Sequence, residues 1–175
     1  MKRLLAALVW VVIAAELCVF FVPKRELYFA AERELEKLQV SISGEKASDL
    51  GWYFSINGGS IIYDRAKIAE NGSASLIATI FFNRVKVESL TLSNNLASVA
   101  PKRIDSLEAI HTIFVPHKVF LSGEGEIGEI SGTIDLLDRK ISLLINAPTQ
   151  IQQKYGQLFA GLEKTAEGFL YESNF

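Results

Sequence analysis

SGEGEIGEISGTIDL, residues 122–136, admits two opposed readings. Gly123, Gly125 and Gly128 fall in the G-x-G-x-x-G spacing of a dinucleotide-binding turn. Such a turn must open a helix, because the N–H groups at a helix N-terminus bind the pyrophosphate. The residues after Gly128 alternate instead: Ile130, Gly132, Ile134 and Leu136 take one face, and Ser131, Thr133 and Asp135 the other. Glu124 and Glu126 would also set negative charge beside a phosphate. The stretch therefore reads as β-strand, its glycines serving sharp bending or close packing in a curved sheet.

The same two-residue period runs through the middle of the chain. Trp52, Phe54 and Ile56 alternate with Tyr53, Ser55 and Asn57, and Asn57-Gly58-Gly59 offers a tight turn into SIIYD. Asn71-Gly72, between KIAE and SASL, predicts a two-residue hairpin, since Asn-Gly tolerates the positive φ angles of a type I′ turn. RVKVESLTL alternates around an irregularity at Glu88-Ser89, and IDSLEAIHTIF, HKVFLSGEGE, EISGTIDLL and RKISLLI read as further strands. Strands joined by turns with no helix between them predict an antiparallel meander.

Helical spacing brackets this β region. Leu4–Val22 is a run of nineteen residues with one charge, Glu16. At about 1.5 Å per residue it is long enough to cross a bilayer core. It exceeds the apolar region of a signal peptide and ends in Cys-Val-Phe-Phe-Val-Pro-Lys-Arg without a small-x-small exit, so an uncleaved anchor is expected. Leu17 before Cys18, the only cysteine, does not suit lipoprotein processing. Lys2 and Arg3 with the terminal amine outweigh Lys24 and Arg25, which Glu26 follows, so the N-terminus is expected in the cytoplasm and the domain in the periplasm. KRELYFAAERELEKL then repeats Leu27, Ala31, Leu35 and Leu38 as an apolar stripe, after a Pro23 suited to a first turn. Near the end, Thr149 is placed to cap a helix with Ile151, Tyr155, Leu158, Phe159 and Leu162 on one side, weakened by Gly156, Gly161 and Gly168.

The expected architecture is mainly β (α+β). It comprises a transmembrane anchor over 1–23, a juxtamembrane helix over 24–38, a curved antiparallel sheet of about eight strands over 39–147, and a C-terminal amphipathic helix and tail over 148–175.

Composition narrows the function. The 18 Lys+Arg and 20 Asp+Glu, less the four cations flanking the anchor and Glu16, leave a net charge of about −5 on residues 26–175, with no basic stripe to bind nucleic acid. His111 and His117 lack the companions that would complete a metal site. Asp135 and Asp138 flank a turn, and no nucleophile elbow, P-loop or H-E-x-x-H occurs. No catalytic residue, metal ligand or cofactor is assigned, and an enzyme is not expected. Glu16 stands apart. A carboxylate inside a membrane helix costs a few kcal/mol, which makes it a candidate intramembrane contact with a partner; the alternatives are protonation or a local membrane defect.

The anchor with its Pro-Lys-Arg-Glu-Leu exit, GWYFSINGGSIIYD leading to FFNRVKVESLTLSNNL, and the late GEIGEISGTIDLLDRKISLLI resemble type II secretion system protein N (GspN-like) proteins. These look related to the AsmA-like envelope proteins, whose curved sheets form open grooves. The resemblance implies a non-enzymatic accessory of a secretion-like assembly in the cytoplasmic membrane, partnered by the bilayer and by other envelope proteins. It also allows an alternative, a groove that binds or transfers lipid acyl chains. The two differ in whether the face of the sheet is open or filled by the protein's own side chains.

Overall fold

The computed structural model describes residues 2–94 and 100–175. Helix α1 (Lys2–Phe21) is the one helix among them long and apolar enough to cross a membrane, and none of its residues is buried. Lys24 ends it: its ammonium donates to the carbonyls of Val19 (2.5 Å) and Val22 (3.0 Å) at the helix C-terminus. Helix α2 (Lys24–Lys37) starts at once, and Asp49 caps it, its Oδ2 accepting from the Lys24 and Arg25 backbone N–H groups.

Among the described residues thirteen strands follow in one antiparallel sheet, where about eight were expected. They are β1 (Val40–Ser43), β2 (Lys46–Asp49), β3 (Tyr53–Asn57), β4 (Ser60–Tyr63), β5 (Ala66–Glu70), β6 (Ser73–Ala78), β7 (Phe82–Leu92), β8 (Arg103–Thr112), β9 (Lys118–Gly125), β10 (Gly128–Asp135), β11 (Lys140–Asn146), β12 (Glu163–Lys164) and β13 (Phe169–Asn174).

The larger number has a physical origin. Asn57 pairs with Ser73 and Ser60 with Glu70, so Gly58-Gly59 lies opposite Asn71-Gly72 with no loss of register. Hydrogen bonds cross this break, from Gly58 N to Gly72 O and from Asn71 N to Gly59 O, each 2.9 Å. Ser43 pairs with Ser60 and Lys46 with Asn57, which sets Gly44-Glu45 in the same line. On the other side Ser73 faces Glu88 and Glu70 faces Thr91, so Ser89 lies there too. The line continues through the bulge between Ile104 and Ser106 to Gly125. One crease thus crosses the sheet and divides three long passes of chain into strand pairs.

Both predicted turns are part of this crease. β5 and β6 do not pair as a hairpin; they run end to end along β7, and Asn57-Gly58-Gly59 likewise joins β3 to β4 without reversing the chain. Positive φ at Gly44, Gly58, Gly59 and Ser89 bends each pass where its neighbour bends. Gly72 is needed for room: a Cβ there would lie 2.7 Å from Ser89 Cβ and 2.9 Å from Glu88 O.

The C-terminal segment also differs from expectation. Pro148, not Thr149, precedes the helix, which breaks at Tyr155 into α3 (Thr149–Lys154) and α4 (Gly156–Phe159). The tail returns as β13 on the edge of β11. Tyr155 and Phe159 are buried with Ile127 and Ala147, and Ile130, Ile145, Ile151, Leu162 and Phe169 pack around them.

In the opening stretch, Gly123, Gly125 and Gly128 sit in the β9–β10 hairpin, and the residues after them are strand. Gly128 has φ +106, and a Cβ there would fall 2.2 Å from the Asn146 carbonyl oxygen. Gly128→Leu is therefore expected to destabilise the detergent-solubilised protein by about 2 kcal/mol or more, read from its urea midpoint, because strain and a backbone clash act together. An unchanged midpoint would contradict this account of the hairpin.

Candidate binding groove

Beyond the crease the register aligns two cross-strand rows on one face. The first runs Phe54, Leu76, Val85, Ala109, Leu121, Gly132, Leu143, Tyr171. The second runs Ile56, Ala74, Val87, Leu107, Gly123, Ile130, Ile145, Phe169. Eight strands about 4.8 Å apart make a floor roughly 34 Å long, with Tyr171 its single polar side chain. The opposite face carries the charge, with ion pairs Arg84–Glu108 (2.6 Å), Lys118–Asp135 (3.7 Å) and Lys140–Glu172 (2.7 Å). The sheet is two-sided by chemistry.

Two helical walls stand on the apolar face. At one end α2 turns Lys24, Tyr28 and Glu32 toward the domain, and the Tyr28 ring lies 5.7 Å from that of Phe54. Burial first, then the Glu45 and Glu32 carboxylates, push the Tyr28 hydroxyl well above its ordinary range, and it donates to Glu45 Oε1 at 3.3 Å. Of the predicted stripe on α2, Leu27 and Ala31 overhang a cavity of about 420 Å³ above Phe54, Ile56, Ala74, Leu76 and Val85. Leu35 and Leu38 are exposed. At the other end α3 and α4 cover Ile130, Ile145 and Phe169.

Between the walls the floor is bare. A second cavity of about 300 Å³ extends from Val85 and Val87 to Ile130 and Leu143, sharing Val85 with the first, so the two form one trough. Val85 is 47% exposed, and only Phe54 and Ile56 among the floor residues are buried. Gly123 and Gly132 lower this floor: Leu107 and Leu143 lie over them, so that an added Cβ would fall 2.6 and 2.8 Å from their methyl groups. Alternation along each strand was legible in the sequence. That the two rows would stay uncovered was not, because cover is a tertiary property.

Glu16 lies against the turn between β6 and β7. Its Oε1 accepts from the Ile80 backbone N–H at 3.3 Å, so the contact shown is within the chain, while Oε2 is buried without a partner. His111 bonds through Nε2 to the Pro116 carbonyl at 3.0 Å, and His117 sits in the β8–β9 turn rather than in a strand. Asp135 Oδ1 accepts from the Leu137 and Asp138 N–H groups and orders the β10–β11 turn. A hollow of about 500 Å³ on the polar face is lined by serines and by Glu124, Glu129 and Glu167. Among the described residues no three His, Cys, Asp or Glu are placed to hold a metal ion.

Glu126 fastens the α3–α4 wall. It accepts from Lys154 Nζ (2.8 Å), Tyr155 OH (3.1 Å) and Lys102 N (2.7 Å). The Lys154 hydrogen bond leads in holding its carboxyl below the ordinary value of 4.5, against an opposing effect of burial. A depressed folded value means that this stabilisation is complete above the unfolded value and fades as pH falls through the folded one. Glu126→Ala is therefore expected to lower the amide-exchange protection factors of residues 149–159 at pH 7 and to leave those of β7 and β8 unchanged, and acidification below about 4.5 is expected to lower the same protection factors in the unaltered protein. Equal exchange in both proteins would remove Glu126 from this role.

No family model matches the chain, and neither the curated proteins nor the solved structures give a match.

Proposed function

We propose that the protein is a single-pass protein of the cytoplasmic membrane, with its β-domain on the periplasmic side, and that it holds the acyl chains of lipid on its open apolar face. The observation that carries this reading is the bare floor: two eight-residue rows, apolar but for Tyr171, walled at both ends and half-exposed between. A contiguous apolar surface of this extent is costly in water and marks a site that something else covers. An acyl tail is a fitting occupant. It needs no hydrogen bonds from the floor, which offers almost none, and half of a bilayer core of about 30 Å gives an extended tail length that the trough accommodates.

The secretion-assembly role keeps only the sequence resemblance behind it, whereas the lipid role has the geometry of the face. No step of chemistry is assigned. The two rows of the floor are apolar but for Tyr171, and the ion pairs lie on the other side of the sheet.

The test is lipid carried through purification. Phospholipid or fatty acid is expected to co-purify with the detergent-extracted protein in near-stoichiometric amount, and Leu107→Glu with Leu121→Glu is expected to reduce it several-fold while the circular dichroism stays that of the sheet. Retention unchanged by these charges, or absent from the unaltered protein, would refute the reading. Recovery of other envelope proteins in place of lipid would favour the assembly role.

A further inference from the structure

All the turns at one end of the sheet carry bare apolar residues, and α1 emerges at that same end. The backbone ties them into one rim: Ala78 N bonds to Trp52 O (2.9 Å), Ile113 N to Phe81 O (3.0 Å), Leu136 N to His117 O (2.8 Å) and Phe175 N to Arg139 O (3.0 Å). Each turn presents apolar surface. Leu50 is 68% exposed, Phe114 85% and Leu137 76%, and Trp52, Phe81 and Ile113 are also exposed. Among the described residues the opposite end shows the charged pairs Asp64-Arg65 and Lys102-Arg103, with Leu38 and Tyr63 as its exposed apolar and aromatic side chains. A fold that only needed turns would have no reason to segregate them in this way.

Alignment with α1 sets the level of the rim. Phe20 packs edge-on against Trp52, with ring centroids 4.8 Å apart, and lies over Gly51, where a Cβ would fall 2.1 Å from its ring. Deeper along the helix, Glu16 receives the Ile80 N–H. Glu16 is five residues before the end of α1, or roughly 7 Å along the axis, so the 79–81 turn lies beside the spanning helix rather than above it. Val12, Ala15, Glu16, Val19 and Phe20, the half-buried positions of α1, recur at helical spacing and make one stripe.

We infer that this rim enters the lipid surface around α1, with residues 79–81 deepest and residues 113–117 and 136–139 in the boundary between headgroups and acyl chains. The first turn, Thr79-Ile80-Phe81, has no charge, as depth requires, whereas the last, Leu136-Leu137-Asp138-Arg139, carries charge next to its apolar tip and sits shallower. Trp52 lies where an amphipathic ring favours the interface. A hairpin tip inside the bilayer has backbone N–H groups that water does not reach, and Glu16 supplies the acceptor for one of them. The lone carboxylate in the span thus serves the protein's own inserted turn. On the floor side the next row toward the rim runs Ala78, Asn83, His111, Val119, Ile134, Ile141, Ser173, so the apolar surface continues toward the rim at Val119, Ile134 and Ile141 and is polar on either side of them.

This inference rests on α1 crossing the membrane and not on lipid in the trough. The test places single spin labels in the full chain with Cys18→Ser, reconstituted in phospholipid nanodiscs. Labels at Phe114→Cys and Leu137→Cys report the rim, Glu167→Cys the opposite end, and Ala14→Cys the span. Collision with oxygen is expected to exceed that with a water-soluble nickel chelate several-fold at residues 14, 114 and 137, and to fall below it at residue 167. Water-like behaviour at both rim sites with residue 14 in lipid would overturn the rim. Water-like behaviour at residue 14 as well would overturn the membrane-crossing reading with it. Neither result depends on whether lipid occupies the trough.

Discussion

A sheet with one apolar face must have that face covered, and this chain supplies too little to cover it. Helix α2 stands over the β3–β6 end and α3–α4 over the β10–β13 end, with the middle strands bare between them. No large side chain in the described structure is fully buried. The buried cluster around Tyr155 and Phe159 is small, so the cross-strand ladder and the packing of neighbouring side chains along it hold much of the fold together. The open trough is the result of this shortage of cover.

The crease gives the sheet its shape. Residues free to take positive φ are stacked across neighbouring passes, so every strand bends at the same level and the hydrogen bonds persist through the bend. Gly123 and Gly132 then hollow the floor by letting Leu107 and Leu143 lie flat. At the α1 end of the sheet, Asp49 and Lys24 fix the angle between α1 and α2, and Phe20 seats α1 on Trp52. The trough, its walls and α1 are thereby held as one arrangement.

Local pattern made some of this legible. The nineteen-residue run ending at Val22 became α1, and alternation after Gly128 identified β10 against the pull of a glycine motif. Glu16 stood out by its cost, although its acceptor role toward Ile80 depends on a contact 64 residues away. Asn71-Gly72 and Asn57-Gly58-Gly59 misled for a physical reason. Freedom of φ permits either a reversal or a bend, and only the neighbouring strand decides which. The reversal between β4 and β5 instead uses Asp64 and Arg65 at φ +45 and +66, and Asp64 N donates to the Gln39 carbonyl, so no Asn-Gly signal marked it. Of the C-terminal stripe, Ile151, Tyr155, Phe159 and Leu162 pack inward and Leu158 is exposed. Its helix stops at Phe159 because a cover for Ile130 and Ile145 needs only two short turns, and Phe169–Asn174 fill the open edge of β11.

The central claim is that the bare face is occupied by lipid chains, and the most direct measurement maps where a lipid touches the protein. A phospholipid with a photoactivatable diazirine near the end of its acyl chain, added to the protein in membranes and irradiated, leaves adducts that peptide mass spectrometry locates. The account predicts adducts at Val85, Leu107, Leu121 and Leu143, in addition to α1, with none at Arg84, Lys86 or Ser142 on the reverse of the same strands. Adducts confined to α1 and the turns beside it, with the floor unlabelled, would contradict the account.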